Sequence, residues 1–298
     1  MHEDQLRVSP DLACRLVADQ LPHLGGLQVR QLPGPGTVNA VFRLGDTLTA
    51  RFPLVRQDLD SARSWLATEQ AAARELAAVC PVPTPEPVAL GEPGHGYPMP
   101  WSVQTWLPGE DASRRDPGAS VAFAEDLAEV VLALRSAGTR GRRFTGPGRG
   151  GHLPDHDPWV QVCLTRSAGL LDVRSLAALW ERLRELPRTD PDVMCHGDLI
   201  APNVLVGAGD RLAGVLDGGG FGPADPALEL AAAWHLLDSG PREALRRRVG
   251  CDDVQWGRGM AWALVQALGS VWYYAETNPV MSDCARRTLD RLLEAGGG

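Results

Sequence analysis

Residues 193–206 read VMCHGDLIAPNVLV, and residues 211–226 read RLAGVLDGGGFGPADP. Two short apolar runs, Val204–Val206 and Ala213–Leu216, have the length and composition of strands, with turn residues between them. Paired as a hairpin, they bring Asn203 and Asp217 to the same end. Asp198, five residues before Asn203, curls back over that end. Asp and Asn are ordinary turn residues when taken singly. Here, beside two strands, they assemble two carboxylates and an amide, all hard oxygen donors. Such a set suits Mg²⁺, which prefers carboxylate and phosphate oxygens. The glycines after Asp217 let backbone pass close to a bound phosphate.

N-terminal to this segment the pattern changes twice. Residues 10–24 read as an opening helix, entered through Ser9-Pro10, with Leu12, Leu16 and Val17 as its apolar stripe. Residues 27–55 hold short alternating segments around Gly34, Gly36, Gly45 and Asp46, which predicts two or three antiparallel strands. Residues 58–78 are Ala-rich and helical in propensity. PVPTPEPV at 81–88 excludes helix interior. YPMPWSVQTWL at 97–107 is extended, and Pro108-Gly109 breaks it as a hinge.

Beyond the hinge the chain turns helical. Helices are predicted over 120–137, with Ser120 as N-cap, and over 173–186, 225–238, 242–249, 253–275 and 280–295. A Gly/Arg/Pro-rich connector runs over 139–158. The order, a β-rich part with one long helix and then a mostly helical part, predicts an α+β two-lobe arrangement rather than alternating βαβ units.

Composition removes several classes of function. The chain has 298 residues, of which 44% are hydrophobic, enough for a sizeable core. It contains no lysine, and all 29 basic residues are arginine. A Walker A loop and a lysine Schiff base are both excluded. The simplest source of the bias is a GC-rich coding sequence. The net charge of −8 argues against nucleic-acid binding and tolerates a cationic small substrate. No run of apolar residues is long enough to span a membrane, and the polar N-terminus MHEDQLRVSP lacks a secretory h-region. The six cysteines form no CxxC pair, so reduced thiols in the cytoplasm are expected.

HGDLIAPN matches the HxDxxxxN catalytic loop of the aminoglycoside phosphotransferase family, and LDGGGFGPADP is similar to that family's metal-binding aspartate segment. PGTVNAVFRLGDTLTARFPL resembles its Gly-rich strand-turn-strand, GEPGHGYPMPWSVQTWLPGE its hinge region, and YYAETNPV a C-terminal stretch of one bacterial branch. The resemblance implies the two-lobe protein-kinase-like fold, with residues 1–107 as a nucleotide-covering N-lobe. It implies that residues 108–298 form a C-lobe with the catalytic loop, metal site and acceptor pocket. It implies that Asp198 orients the acceptor hydroxyl and takes its proton, that His196 braces the loop, and that Asn203 and Asp217 ligate Mg²⁺. Arg51 falls where the family places a basic residue on the α/β-phosphates, and a guanidinium can clamp phosphate bidentately. Its helix partner is Glu69 or, second, Glu75. Gly34, Gly36 and Asn39 occupy the turn over the nucleotide. The adenine meets backbone somewhere in Gln104 to Leu107, around Trp106.

The activity so implied is transfer of the γ-phosphoryl of Mg-ATP, with GTP as the alternative donor. The acceptor would be a hydroxyl of an antibiotic-like molecule, an aminoglycoside first and a macrolide or other compound next. The partners are then a nucleotide and a small molecule, for a monomer or homodimer. Gly218 stands where many relatives carry an aromatic residue, and Val38 where close relatives often have a polar one. The missing lysine and Gly218 motivate the alternative of a nucleotide-binding regulator without turnover. A metal-dependent hydrolase built on His196 and Asp198 is disfavoured, since no GxSxG or HExxH motif occurs. His152, His156 and Asp157 read as a polar loop before a metal site, for want of further ligands at a usual spacing. Asp225 reads as a helix cap that ties down the catalytic loop before it reads as a substrate contact.

Overall fold

In the computed structural model, which describes residues 6–32 and 39–296, helix α1 (Pro10–Gln20) starts where serine precedes proline. Ser9 accepts from the Leu12 N–H at 3.2 Å. The helix ends sooner than its apolar stripe predicts. Pro22 has no N–H to donate back to the helix, and Pro22–Leu24 form a 3-10 turn instead.

Five strands follow: β1 (Val29–Gln31), β2 (Asn39–Leu44), β3 (Leu48–Pro53), β4 (Pro87–Gly91) and β5 (Trp101–Thr105). They pair antiparallel in the order β1-β2-β3-β5-β4. Helix α2 (Leu59–Ala77) lies between β3 and β4 in sequence and is capped by Asp58, which accepts from Ser61 at 2.9 Å. Strand alternation sends Phe42, Leu44, Ala50, Phe52, Trp101 and Val103 into one core with Leu16 and Val17 of α1. Phe52 stacks on Trp101 with centroids 4.9 Å apart. Each fully buried Phe contributes about 2–3 kcal/mol of transfer free energy. A methyl group at Gly91 would lie 2.0 Å from the Trp101 ring, so β4 approaches this core only as glycine.

The chain divides into two compact units, Met1–Ala78 with Thr84–Pro108, and Val79–Pro83 with Gly109–Gly298. The second contains β6 (Glu110–Asp111), α3 (Val121–Ser136), α4 (Asp157–Arg166), α5 (Val173–Leu183), β7 (Val193–Cys195), β8 (Val204–Val206), β9 (Leu212–Val215), β10 (Gly222–Ala224), α6 (Ala232–Leu236), α7 (Ser239–Val249), α8 (Asp253–Tyr273) and α9 (Pro279–Gly296). Ser120 caps α3 by accepting from Phe123, and Asp252 caps α8 by accepting from Gln255. Helix α3 buries Phe123, Leu127, Val130, Val131 and Leu134 against α7 and β7. Helix α8 is buried along most of its length, packed by α9, α4 and α5.

Two further expectations differ from the observed elements. Helix α4 has no counterpart among the predicted helices, and Val160, Val162 and Thr165 give DPWVQVCLTR low helix propensity. It forms because Val160 and Cys163 bury against α8, where Gly269 lets the Trp159 ring approach. The single helix expected over 225–238 is instead a turn from Asp225, a 3-10 turn (Glu229–Ala231) and the short α6. The Asp225 side chain holds the Ala227 N–H at 3.0 Å, which sets a turn where a continuous helix would otherwise start.

Candidate active site

Strand β8 pairs with β9 in the register Val204↔Val215, and with β6 on its other edge. Strand β7 pairs with β10, Cys195 opposite Gly222. The loop between β7 and β8 carries His196, Asp198 and Asn203, and β9 leads directly to Asp217.

His196 is buried. Its Nε2–H donates to the Leu216 carbonyl at 2.8 Å, which leaves Nδ1 to accept from the Asp198 N–H at 3.3 Å. The Leu216 N–H donates to the Asn203 carbonyl at 2.8 Å. One peptide residue, the neighbour of Asp217, is therefore gripped from both sides by the loop. The Asn203 Nδ2 donates to both the carbonyl and the Oδ2 of Asp198, at 3.0 and 3.1 Å. Asp217 sits in the left-handed region (φ 59°, ψ 44°). Non-glycine residues rarely adopt that conformation, and such outliers cluster at functional sites. Gly218 is buried, and three residues on Phe221 supplies a buried aromatic ring.

The loop is held from below by groups that sequence reasoning did not single out. Gly197 turns at φ +79°. Its N–H donates to the Glu229 Oε1 at 2.6 Å, and its carbonyl accepts from the Gln266 Nε2 at 3.0 Å. Burial pushes the Glu229 carboxyl up; His196 and the Gly197 N–H pull the other way. The Gln266 Oε1 accepts from the His235 Nε2–H at 2.8 Å, and the His235 Nδ1 faces the Thr288 hydroxyl at 3.1 Å. Burial holds His235 neutral, its pKa pushed down to about 4. A lone glutamate inside the apolar run PALELAAAW is the one sequence signal that could have found Glu229. Nothing in the sequence spacing signals Gln266 or His235.

Asp225 is buried. Its Oδ2 accepts from the Arg258 Nε at 3.0 Å and Nη2 at 2.5 Å and from the Trp262 Nε1 at 3.0 Å, while Oδ1 accepts from Ala227. It anchors the turn after β10. His152 meets Asp155 at 3.2 Å, His156 lies edge-on to Trp262, and Asp157 is held by Arg184 and Trp180. Among the described residues no group of three His, Cys, Asp or Glu side chains is placed to hold a metal ion.

The remaining sequence candidates lie in the first unit. Arg51 is half-buried on β3, opposite Val41 and Ser102. Glu69 and Glu75 are half-buried on α2. Asn39 opens β2 opposite Pro53. Gly34, Gly36 and Val38 lie outside the described residues. Gln104 sits on β5 between Thr49 and Pro87. The N–H groups of Thr105 and Trp106 already donate to Glu86 and Thr47, at 2.9 and 2.7 Å. The Trp106 ring lies under the Arg43 guanidinium, 4.2 Å from its centroid.

The donor chemistry of the two loops is the kind a divalent ion takes. Asn203 spends its amide nitrogen on Asp198, which leaves its Oδ1 as an acceptor. Asp217 carries a carboxylate on a backbone in an uncommon conformation. Both donors are hard oxygens.

The sequence pattern of the phosphotransferase enzyme family matches residues 29–264. No curated protein sequence matches the chain. Among solved structures it is similar to the GDP complex of aminoglycoside 2'-phosphotransferase-IIIa: TM-score 0.67 and 16% identity, over 97% of this chain and 100% of that one. A second is the GDP and kanamycin complex of an APH(2") enzyme: TM-score 0.65, 18% identity, 96% and 98% covered. A third is the apoenzyme of macrolide 2'-phosphotransferase MphH from Brachybacterium faecium: TM-score 0.60, 18% identity, 94% and 97% covered. At these identities the likeness is one of fold. The α+β architecture, an antiparallel sheet followed by a helical part, is the one these kinase-like structures share.

Proposed function

The chain belongs to the phosphotransferase enzyme family, and on that premise we propose that it moves the γ-phosphoryl group of Mg-ATP to a hydroxyl of a small, antibiotic-like acceptor. An aminoglycoside is the first acceptor to try and a macrolide the second; GTP is the alternative donor. The observation that carries this reading is the closed set of bonds around Leu216. His196 and Asn203 both hold that residue, the neighbour of Asp217, and Asn203 holds Asp198 as well, so the four assigned groups of the second unit share one frame.

In this reading Asp198 orients the acceptor hydroxyl and takes its proton. The acceptor oxygen bonds to the γ-phosphorus, the bond from that phosphorus to its bridging oxygen breaks, and the nucleoside diphosphate leaves. Asn203 and Asp217 would hold Mg²⁺, which when bound neutralises charge on the β- and γ-phosphates. His196 positions the loop. The base has a modest task, because phosphoryl transfer through a loose transition state rests on placement and charge neutralisation.

Residues 1–107 are assigned to the nucleotide and 108–298 to the catalytic loop, metal and acceptor. Arg51 grips the α/β-phosphates with Glu69 as its helix partner. Gly36 and Asn39 border the turn over the nucleotide, and the backbone around Gln104 and Trp106 meets adenine. No helix among the described residues is long and apolar enough to cross a membrane. All six cysteines are free, which is compatible with the reducing cytoplasm; the chain is assigned as a monomer or homodimer. The test is incubation with Mg-ATP and a panel of hydroxylated antibiotics, read by mass for one added phosphate. Asp198→Ala should abolish the product. Product from that variant refutes the assignment, and nucleotide binding with no product from any acceptor favours the regulator without turnover.

A further inference from the structure

We propose that Arg149 is a catalytic residue of this site, the cation that meets the transferring phosphoryl group beside Asp198. The inference rests on the reading of Asp198 as the transfer base. The Arg149 Nη1 lies 2.9 Å from the Asp198 Oδ1, while the other carboxylate oxygen is held by Asn203. HGDLIAPN offers no cation between Asp198 and Asn203, and the chain has no lysine anywhere. Positive charge next to this carboxylate has to come from a different stretch of sequence, and Arg149 brings it from the connector after α3.

The backbone on which Arg149 stands is built. The Gly150 carbonyl accepts from the Asp225 N–H at 2.9 Å. Gly150 has φ +106°, and a Cβ there would lie 2.6 Å from the Ala224 Cβ, so only glycine brings the segment this close to β10. A Cβ on Gly151 would meet the Phe144 ring at 2.8 Å. Phe144 is itself fixed by its N–H donating to Asp192 at 2.7 Å, and Leu153 is fully buried. The side chain above this base stays open. It is 39% exposed against 30% for Asp198. An ion pair that wet is worth about 0–1 kcal/mol, so stability does not account for the placement.

A guanidinium has five donors in one plane. One faces Asp198, and Arg149 has no other ion pair among the described residues. An acceptor hydroxyl bound to the Asp198 Oδ1 competes with the guanidinium for that oxygen. The donors so released suit the charge that the equatorial oxygens of a phosphoryl group carry in flight. The proton still goes to Asp198 and the electron pair of the broken bond to the nucleoside diphosphate; Arg149 only stabilises the charge between them. A single preorganised donor aimed at developing charge is worth about 10²–10³ in kcat.

The experiment uses the full chain with Mg-ATP and the acceptor that the wild type phosphorylates, or water as acceptor if hydrolysis is the only turnover. Arg149→Ala should lower kcat by about a hundredfold or more and leave KM for ATP within about threefold. Its thermal midpoint should stay unchanged, added guanidinium should restore part of the rate, and Arg149→Lys should fall between. A kcat within about threefold of wild type, a loss confined to KM, or no rescue by guanidinium overturns the proposal. Asp198→Ala runs in parallel. Turnover by that variant refutes the reading of the site as a whole, whereas its loss beside an unimpaired Arg149→Ala refutes only the role of Arg149. A wild type that neither transfers nor hydrolyses overturns both.

Discussion

Replacing Arg258 by methionine tests how the catalytic loop is supported. Arg258 and Asp225 have side chains 5% and 2% exposed. The substitution removes two of the four hydrogen bonds to the Asp225 carboxylate and, among the described residues, its only ion-pair partner. It also strands the Leu186 carbonyl, which accepts from the Arg258 Nη1 at 2.6 Å. An ion left buried without its partner costs about 3–5 kcal/mol, a large share of the roughly 5–15 kcal/mol that a domain has. For a unit of this size that is a fall in Tm of about 6–20 °C. The assay is urea and thermal denaturation followed by tryptophan fluorescence, for Arg258→Met, Asp225→Asn and the double variant. The double variant should lose less than the sum of the singles, because it strands no charge. Arg258→Lys keeps the charge but not the planar edge, and should recover less than half of the loss. A shift below about 2 °C in Arg258→Met, or strict additivity in the cycle, refutes the reasoning.

Two further outcomes follow from the loop's other supports. Glu229→Gln keeps an acceptor for the Gly197 N–H and should retain most turnover. Glu229→Ala leaves that N–H unpaired and opens a cavity, which should cost about 2–4 kcal/mol and most of the kcat, read by urea denaturation and steady-state kinetics. His235 gives a pH dependence of known sign. Its pKa is pushed from 6.5 to about 4 in the folded chain, so between those values unfolding takes up a proton. Stability should therefore fall as pH drops from about 6.5 towards 4, and be fully present above that window. Urea midpoints across the window should show a flatter slope for His235→Gln, and an unchanged slope would contradict the assignment.

The hairpin was legible because local physics sets it. Two apolar runs separated by turn residues pair as β8 and β9, with Val204 opposite Val215. The same holds for helices with a capping Ser or Asp followed by a regular stripe, such as α3 and α8. What stayed illegible depends on distant partners. Helix α4 packs on α8 where Gly269 leaves room for the Trp159 ring, and its own β-branched residues give it low helix propensity. The break after Asp225 comes from a side chain that bonds its own backbone. Glu229, Gln266 and His235 reach Gly197 from three separate elements, and separations of 32 and 69 residues carry no spacing rule. Arg149 sits in a connector whose composition resembles any polar loop.

The absence of lysine connects these observations. Arg63 with Glu92, Arg115 with Asp210, Arg211 with Asp126, Arg184 with Asp157, Arg258 with Asp225 and Arg291 with Asp238 all present the same Nε/Nη2 edge to a carboxylate. An ammonium cannot reproduce that edge. Whatever drove the coding bias, it left a protein whose ion pairs are directional and whose cations all have the fork that fits a phosphate. A site assembled under that constraint does not have to place its positive charge within the catalytic loop. It can take a guanidinium from any rigid backbone within side-chain reach, as Gly150 and Gly151 provide for Arg149. If the proposed role of Arg149 holds, a phosphate-facing cation of this chain is identified by the fixity of the backbone beneath it rather than by its place in a motif.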